Sequence, residues 1–123
     1  DVVMLYGAEV NVMDTHGGLD LPQSLLQGMD WVVASIHSAC LPGLLTEKEA
    51  TRLWLAVAEN PAVDCIGHSE QQNYRYDYDL VTKAFAANNK VVELNGNSFH
   101  VRKDGGASGG SGLSPRAGRE CLV

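Results

Sequence analysis

Three residues of the 123-residue chain stand out by type and spacing: Glu9 in "GAEVNV", His37 in "ASIHS" and His68 in "CIGHS". Each lies at or near the C-terminal end of an apolar run. The separations, 28 and 31 residues, each match about one strand-plus-helix repeat. If the units are consecutive and parallel, the three side chains project from one end of neighbouring strands, which run roughly 4.8 Å apart. Two imidazoles and a carboxylate form a three-ligand zinc set that leaves a position open for water. A carboxylate can also bridge to a second ion about 3.5–4 Å away, and a bound water whose pKa falls toward about 7 becomes a nucleophile at neutral pH. A plainer reading stands beside this one. A single histidine at a strand end is more often a hydrogen-bonded structural residue, and a lone glutamate can partner a buried Arg or Lys. Spacing alone leaves both open.

The elements that must position these residues alternate. Strand-like apolar runs cover Val2–Met13, Trp31–His37, Val63–His68 and Lys90–Asn95. Between them lie three helical segments. Residues 21–30, "LPQSLLQGMD", are short and open with a proline near the first turn. Residues 46–60 form the best helix: Thr46 as N-cap, Glu49 completing a capping box, Ala50, Leu53, Trp54 and Val57 at helical spacing, and Pro61 as the stop. Residues 76–89 repeat the pattern, with Asp77 or Asp79 at the start, Leu80, Ala84 and Phe85 on one face, and Asn88-Asn89 at the end. Alternating strand and helix predicts an α/β fold with a mainly parallel sheet. Strands that read as near-continuous apolar runs predict burial on both faces. From residue 104 the sequence turns Gly- and Ser-rich, the composition of a flexible loop or linker; residues 119–123, "RECLV", read as the start of a further element.

Composition narrows the function classes. Hydrophobic residues make up 45% of the chain, enough for a globular core. No apolar run approaches the roughly 18–20 residues of a membrane span. The net charge of −6 disfavours non-specific nucleic-acid binding, which draws its affinity from phosphate neutralisation. It is compatible with a metal-bridged phosphate substrate. Cys40, Cys65 and Cys121 are odd in number and far apart, which suits a reducing cytoplasm rather than a disulfide framework. The absence of an initiator Met and the abrupt apolar opening "DVVMLYGAEV" suggest a start inside a larger protein.

The stretch from Gly7 to Lys103 resembles the PHP (polymerase and histidinol phosphatase) superfamily, and within it the YcdX-like phosphatase branch. The likeness rests on "GAEVN", "ASIHS" and "IGH" in the family's order and spacing, joined by "AENPAVD" and followed by "VVELNGNSF" and "VRK". The resemblance implies a distorted seven-stranded TIM-like (βα) barrel whose C-terminal face holds up to three metal ions and hydrolyses phosphate esters. It implies that Glu9 is the metal-bridging carboxylate of the family's third strand. His37 and His68 fall on the fourth- and fifth-strand histidines that share one of those metals with it. The family's earlier histidines should precede Asp1, and its Asp-x-His should follow Val123. His16 and His100 do not fall on those positions. After His68 the family has Pro-Gly where this chain has Ser69-Glu70.

These readings together predict a partial PHP domain over residues 1–103 and a linker with an incomplete element over 104–123. Glu9, His37 and His68 are its metal ligands. Zinc is the first choice of ion, with manganese or iron suited to the same donors. The substrate is a small phosphorylated molecule, attacked by a metal-activated water. Arg102 and Lys103 are weaker candidates for holding its phosphate, since a solvated pair reads the same way. Asn95, Asn97 and Ser98 either line the site or form a turn. Tyr74, Tyr76 and Tyr78 read as packing and surface residues, Trp54 as core, and Cys65 as a small buried hydrophobe. Two other classes stay open: a PHP-type exonuclease acting on nucleic acid, and a non-catalytic metal-binding fragment. Four strands of an unclosed barrel leave two open edges, which predicts self-association or marginal stability unless the rest of the barrel is supplied.

Overall fold

The computed structural model describes residues 1–41, 43–70 and 74–95. Their elements follow the order β1 (Gly7–Asn11), α1 (Gln23–Leu26), β2 (Trp31–Ser35), α2 (Glu47–Glu59), β3 (Cys65–Ile66), α3 (Tyr78–Ala87) and β4 (Val91–Val92). The four strands form one parallel sheet in the order β1-β2-β3-β4. Glu9 pairs with Val33 and Asn11 with Ser35; Val33 then pairs with Cys65, and Cys65 with Val91. The sheet is open, with β1 and β4 at its edges among the described residues. No described helix is long and apolar enough to cross a membrane.

Helix α2 forms where local chemistry demands it. The Thr46 hydroxyl accepts from the Glu49 N–H, and the Glu49 carboxylate accepts from the Thr46 N–H at 2.9 Å. This reciprocal pair satisfies two donors that a helix start leaves open. Ala50, Leu53, Trp54, Val57 and Ala58 are buried along one stripe. In α3 the cap is Asp77, whose carboxylate accepts from the Leu80 N–H at 3.0 Å. Its inward face centres on Val81 and Phe85 rather than on Leu80, which is exposed, because Val81 and Phe85 stand one turn apart on the side facing α2. Val10, Val12, Val32, Ala34, Ile36 and Ile66 from the sheet join these helix residues in one core.

The expectation of two buried faces fails. Alternate strand residues enter the core, while Glu9 is exposed and Asn11 and Val33 are only partly covered. Among the described residues the helices pack the sheet's one face and leave the Glu9 face partly open.

The ladders are also shorter than the apolar runs. Val2–Tyr6 are exposed and enter no strand; Tyr6 joins the fold by donating its N–H to the Asp30 carboxylate at 2.9 Å and accepting the Asp30 N–H at 2.7 Å. An apolar run supplies strand propensity, but pairing needs a partner at the right register, and β2 begins only opposite Gly7. The predicted helix over 21–30 contracts to a single turn. Lys90 fixes the entry to β4: its Nζ donates to the carbonyls of Asn60 and Val63, the latter at 2.7 Å.

Candidate metal centre

Glu9, Val33, Ser35 and His37 share one face of the sheet by strand alternation, because side chains two residues apart point the same way. Cys65 and Gly67 continue that face on the third strand. His68 is one residue out of phase, since Ile66 two positions earlier enters the core. Its backbone compensates. His68 has φ +30°, outside the region L-residues favour, and this turn carries its ring back to the Glu9 face. The His68 N–H is held by the Glu93 carboxylate at 2.7 Å. Gly67 allows the bend: a Cβ there would lie 2.5 Å from Ser35 Oγ and 2.8 Å from Val33 Cγ1.

The three predicted ligands come together. Glu9 Oε1 lies 3.1 Å from His68 Nε2 and 3.8 Å from His37 Nε2. The imidazole centroids are 5.0 Å apart, tilted by 54°. One ligand atom from each residue falls within 4.8 Å of the other two. A tetrahedral ion with bonds of about 2.1 Å sets its ligand atoms about 3.4 Å apart, and the two Glu9 distances bracket that value. The side chain of His68 is 19% exposed, against 52% for Glu9 and 41% for His37. An ion held here therefore meets solvent on the Glu9 and His37 side.

Ser35 lies beneath the carboxylate. Its hydroxyl is fully buried and meets no partner in good hydrogen-bond geometry among the described residues. Its proximity to Glu9 is the first of the influences that lower that carboxyl's pKa. Desolvation opposes it; the hydrogen bond and charge of His68, then the charge of His37, add to it. The net effect holds the Glu9 carboxyl below its ordinary range, so it is ionised at neutral pH, as a metal ligand must be.

The other candidates divide. Arg102, Lys103, Asn97, Ser98 and His100 lie outside the described residues. Asn95 donates its N–H to the Glu70 carboxylate at 3.1 Å, tying the segments that follow β3 and β4. His16 sits in a polar loop, its N–H held by Asp14 at 2.7 Å. Trp54, Tyr74 and Tyr76 are buried core residues. Ser69, where the resemblance has proline, is buried with its hydroxyl 2.7 Å from that of Tyr76. Burial pushes the Cys65 thiol up to about 11, the mark of an inert core cysteine. Reading the sequence passed over Asn11, Ser35 and Glu93. Asn11 and Ser35 stand two residues from Glu9 and His37, so the same alternation that groups the ligands also reaches them.

No family model matches the chain. It is similar to proteins named as probable phosphatases. The one from Caldicellulosiruptor saccharolyticus is 38% identical over 105 residues, covering 84% of this chain and 43% of that protein. The one from Clostridium novyi is 41% identical over 105 residues, covering 85% and 42%. The one from Acetivibrio thermocellus is 39% identical over 102 residues, covering 83% and 42%. The chain thus resembles probable phosphatases along most of its own length and spans less than half of theirs.

Proposed function

We propose that this chain carries one metal site of a metal-dependent phosphate-ester hydrolase of the PHP type. On this reading residues 1–103 contribute part of its barrel; the linker expected over 104–123 lies outside the described residues. The observation that carries the reading is the convergence of Glu9, His37 and His68 from three consecutive parallel strands, in a chain similar to probable phosphatases. The donors fit zinc first, and manganese or iron next. When bound, the ion supplies a lowered water pKa and positive charge for a phosphate ester.

The chain's own groups have separate tasks. The Glu9 carboxylate would offset part of the ion's charge, and a carboxylate can also bridge to a second ion. The neutral Nε2 atoms of His37 and His68 bind without adding charge. None of the three acts as a general acid, because each is committed to the ion. Arg102 and Lys103 are proposed to hold the phosphate of a small phosphorylated substrate. With a net charge of −6, such a substrate suits the chain better than nucleic acid. The edges of β1 and β4 are proposed routes of self-association when the remaining strands are absent.

Metal content tests this reading. Elemental analysis of the purified chain is expected to give about one equivalent of transition metal, lost in the His37→Ala/His68→Ala double variant. Retention of metal by the double variant, or its absence from the parent after zinc loading, overturns the site. The complete protein is expected to hydrolyse p-nitrophenyl phosphate in a chelator-sensitive manner.

A further inference from the structure

Asn11 is the last residue of β1 and lies on the site face two positions after Glu9. Its Oδ1 is 2.7 Å from His37 Nδ1. Its Nδ2 donates to Asp20 Oδ2 at 2.5 Å, its backbone N–H donates to Asp20 Oδ1 at 3.0 Å, and its carbonyl accepts the Asp20 N–H at 3.1 Å. Asp20 therefore grips Asn11 at three points. The loop before it explains how. Asp14 accepts from the N–H groups of His16 and Gly18, Gly17 turns the chain at φ +82°, and Leu19 bridges back to Val12. This fold-back sets Asp20 opposite Asn11.

Chemistry then fixes each atom's role. An ionised carboxylate only accepts hydrogen bonds. The end of the Asn11 amide that faces Asp20 must be its NH2 group, so its oxygen faces His37. That oxygen also only accepts, so His37 Nδ1 must carry a hydrogen. The lone pair of the neutral ring is left on Nε2, the atom that faces Glu9.

We propose that Asp20 and Asn11 are positioning residues that select the Nδ1–H tautomer of His37 and aim its Nε2 lone pair into the Glu9 site. The metal-binding half of this inference rests on the proposed function above; the tautomer half does not. Orienting partners of this kind are typically worth roughly 10–100-fold in metal affinity. Without them, ring rotation or the other tautomer turns a hydrogen toward the site.

The test joins a metal-free readout to a metal titration on the same chain. Long-range ¹H–¹⁵N spectra of the apo chain are expected to show His37 as the Nδ1–H form. In Asn11→Leu that form gives way to a mixture of tautomers, and zinc affinity falls roughly 10–100-fold. Asp20→Ala alters an exposed side chain, which keeps the test open if Asn11→Leu fails to fold, and it shifts tautomer and affinity in the same direction. The exchange Asn11→Asp/Asp20→Asn keeps an acceptor toward His37 and a donor between the two positions, so it restores the Nδ1–H form, which a purely loop-closing role does not predict. An Nε2–H His37 in the parent, or a tautomer unmoved by Asn11→Leu and Asp20→Ala, overturns the proposal. The expected tautomer in a parent that takes up no zinc supports the positioning and sinks the metal-site reading instead.

Discussion

His37 and His68 reach the same carboxylate oxygen by different routes. His37 follows Val33 and Ser35 in regular alternation, its backbone has no left-handed residue, and its ring is steadied by Asn11 at 2.7 Å. His68 arrives out of phase and gets there through φ +30°, a glycine before it and a carboxylate on its N–H. Strained backbone persists only where surrounding structure imposes it, at about 1–3 kcal/mol for each such residue. His37 is therefore a position the sheet provides, and His68 one that the β3–β4 neighbourhood must enforce. The ring that is harder to place is also the one closer to Glu9 and better covered. Perturbing the two sides separately tests that contrast.

The largest effect is expected at Gly67. In Gly67→Ala the added methyl meets Ser35 Oγ at 2.5 Å and Val33 Cγ1 at 2.8 Å, both in the adjacent strand. Overpacking of this kind costs about 1–3 kcal/mol, which for a chain of this size lowers Tm by roughly 4–12 °C. Ser35→Ala added to Gly67→Ala removes the nearer atom and should return part of the loss. Gly28→Ala is the control, since a Cβ there meets nothing closer than 3.5 Å. Thermal melts followed by circular dichroism read all three. Equal Tm values for Gly67→Ala and Gly28→Ala would mean that β2 and β3 are not packed as closely as the His68 bend requires.

A smaller effect, with a change of sign, is expected at the histidines. At a left-handed position alanine keeps the strain and glycine releases it, so His68→Gly should be more stable than His68→Ala by about 1 kcal/mol. At position 37 glycine brings only extra unfolded-state freedom, so His37→Gly should be less stable than His37→Ala by about 0.5–1 kcal/mol. Denaturant unfolding of the four metal-free variants gives both differences. The same sign at the two sites would erase the distinction between them.

The sequence carried one side of this comparison better than the other. Repeat spacing located Glu9, His37 and His68, and the Thr46–Glu49 capping box placed α2 to within a residue, because both signals are local and periodic. The detour at His68 was not legible. Counting 31 residues from His37 finds the right residue but not its phase, and the alternation of Cys65 and Gly67 puts His68 on the wrong face. Only the meeting of Gly67 with Ser35, across two strands, shows why the chain turns there. Asn11 and Glu93 escaped for a related reason: each acts through a partner 26 or 25 residues away, which no window along the chain contains. The single turn at Gln23–Leu26 and the exposed Val2–Tyr6 show the opposite failure, where local apolar content outran the pairing available to it.

The smallest effect is in the titration of Glu9. Its carboxyl lies below the ordinary range, held there first by Ser35 and then by His68 and His37. A carboxyl depressed by folding contributes stability at pH values above its unfolded pKa, about 4.3. That contribution fades as pH falls through the lower folded value. Glu9→Gln should therefore flatten part of the stability loss between about pH 5 and the folded pKa, without changing the slope at neutral pH. The effect is modest because the group is half exposed and screened by salt. The two rings separate here as well. His68 acts through a 3.1 Å hydrogen bond as well as its charge, whereas His37 stands at 3.8 Å. Following the Glu9 carboxyl carbon by NMR across the acid range, His68→Ala should raise its pKa more than His37→Ala does. If His37→Ala gives the larger rise, the closer partner of Glu9 is the ring that the sheet places, and the enforced bend at His68 has no electrostatic consequence for the carboxylate.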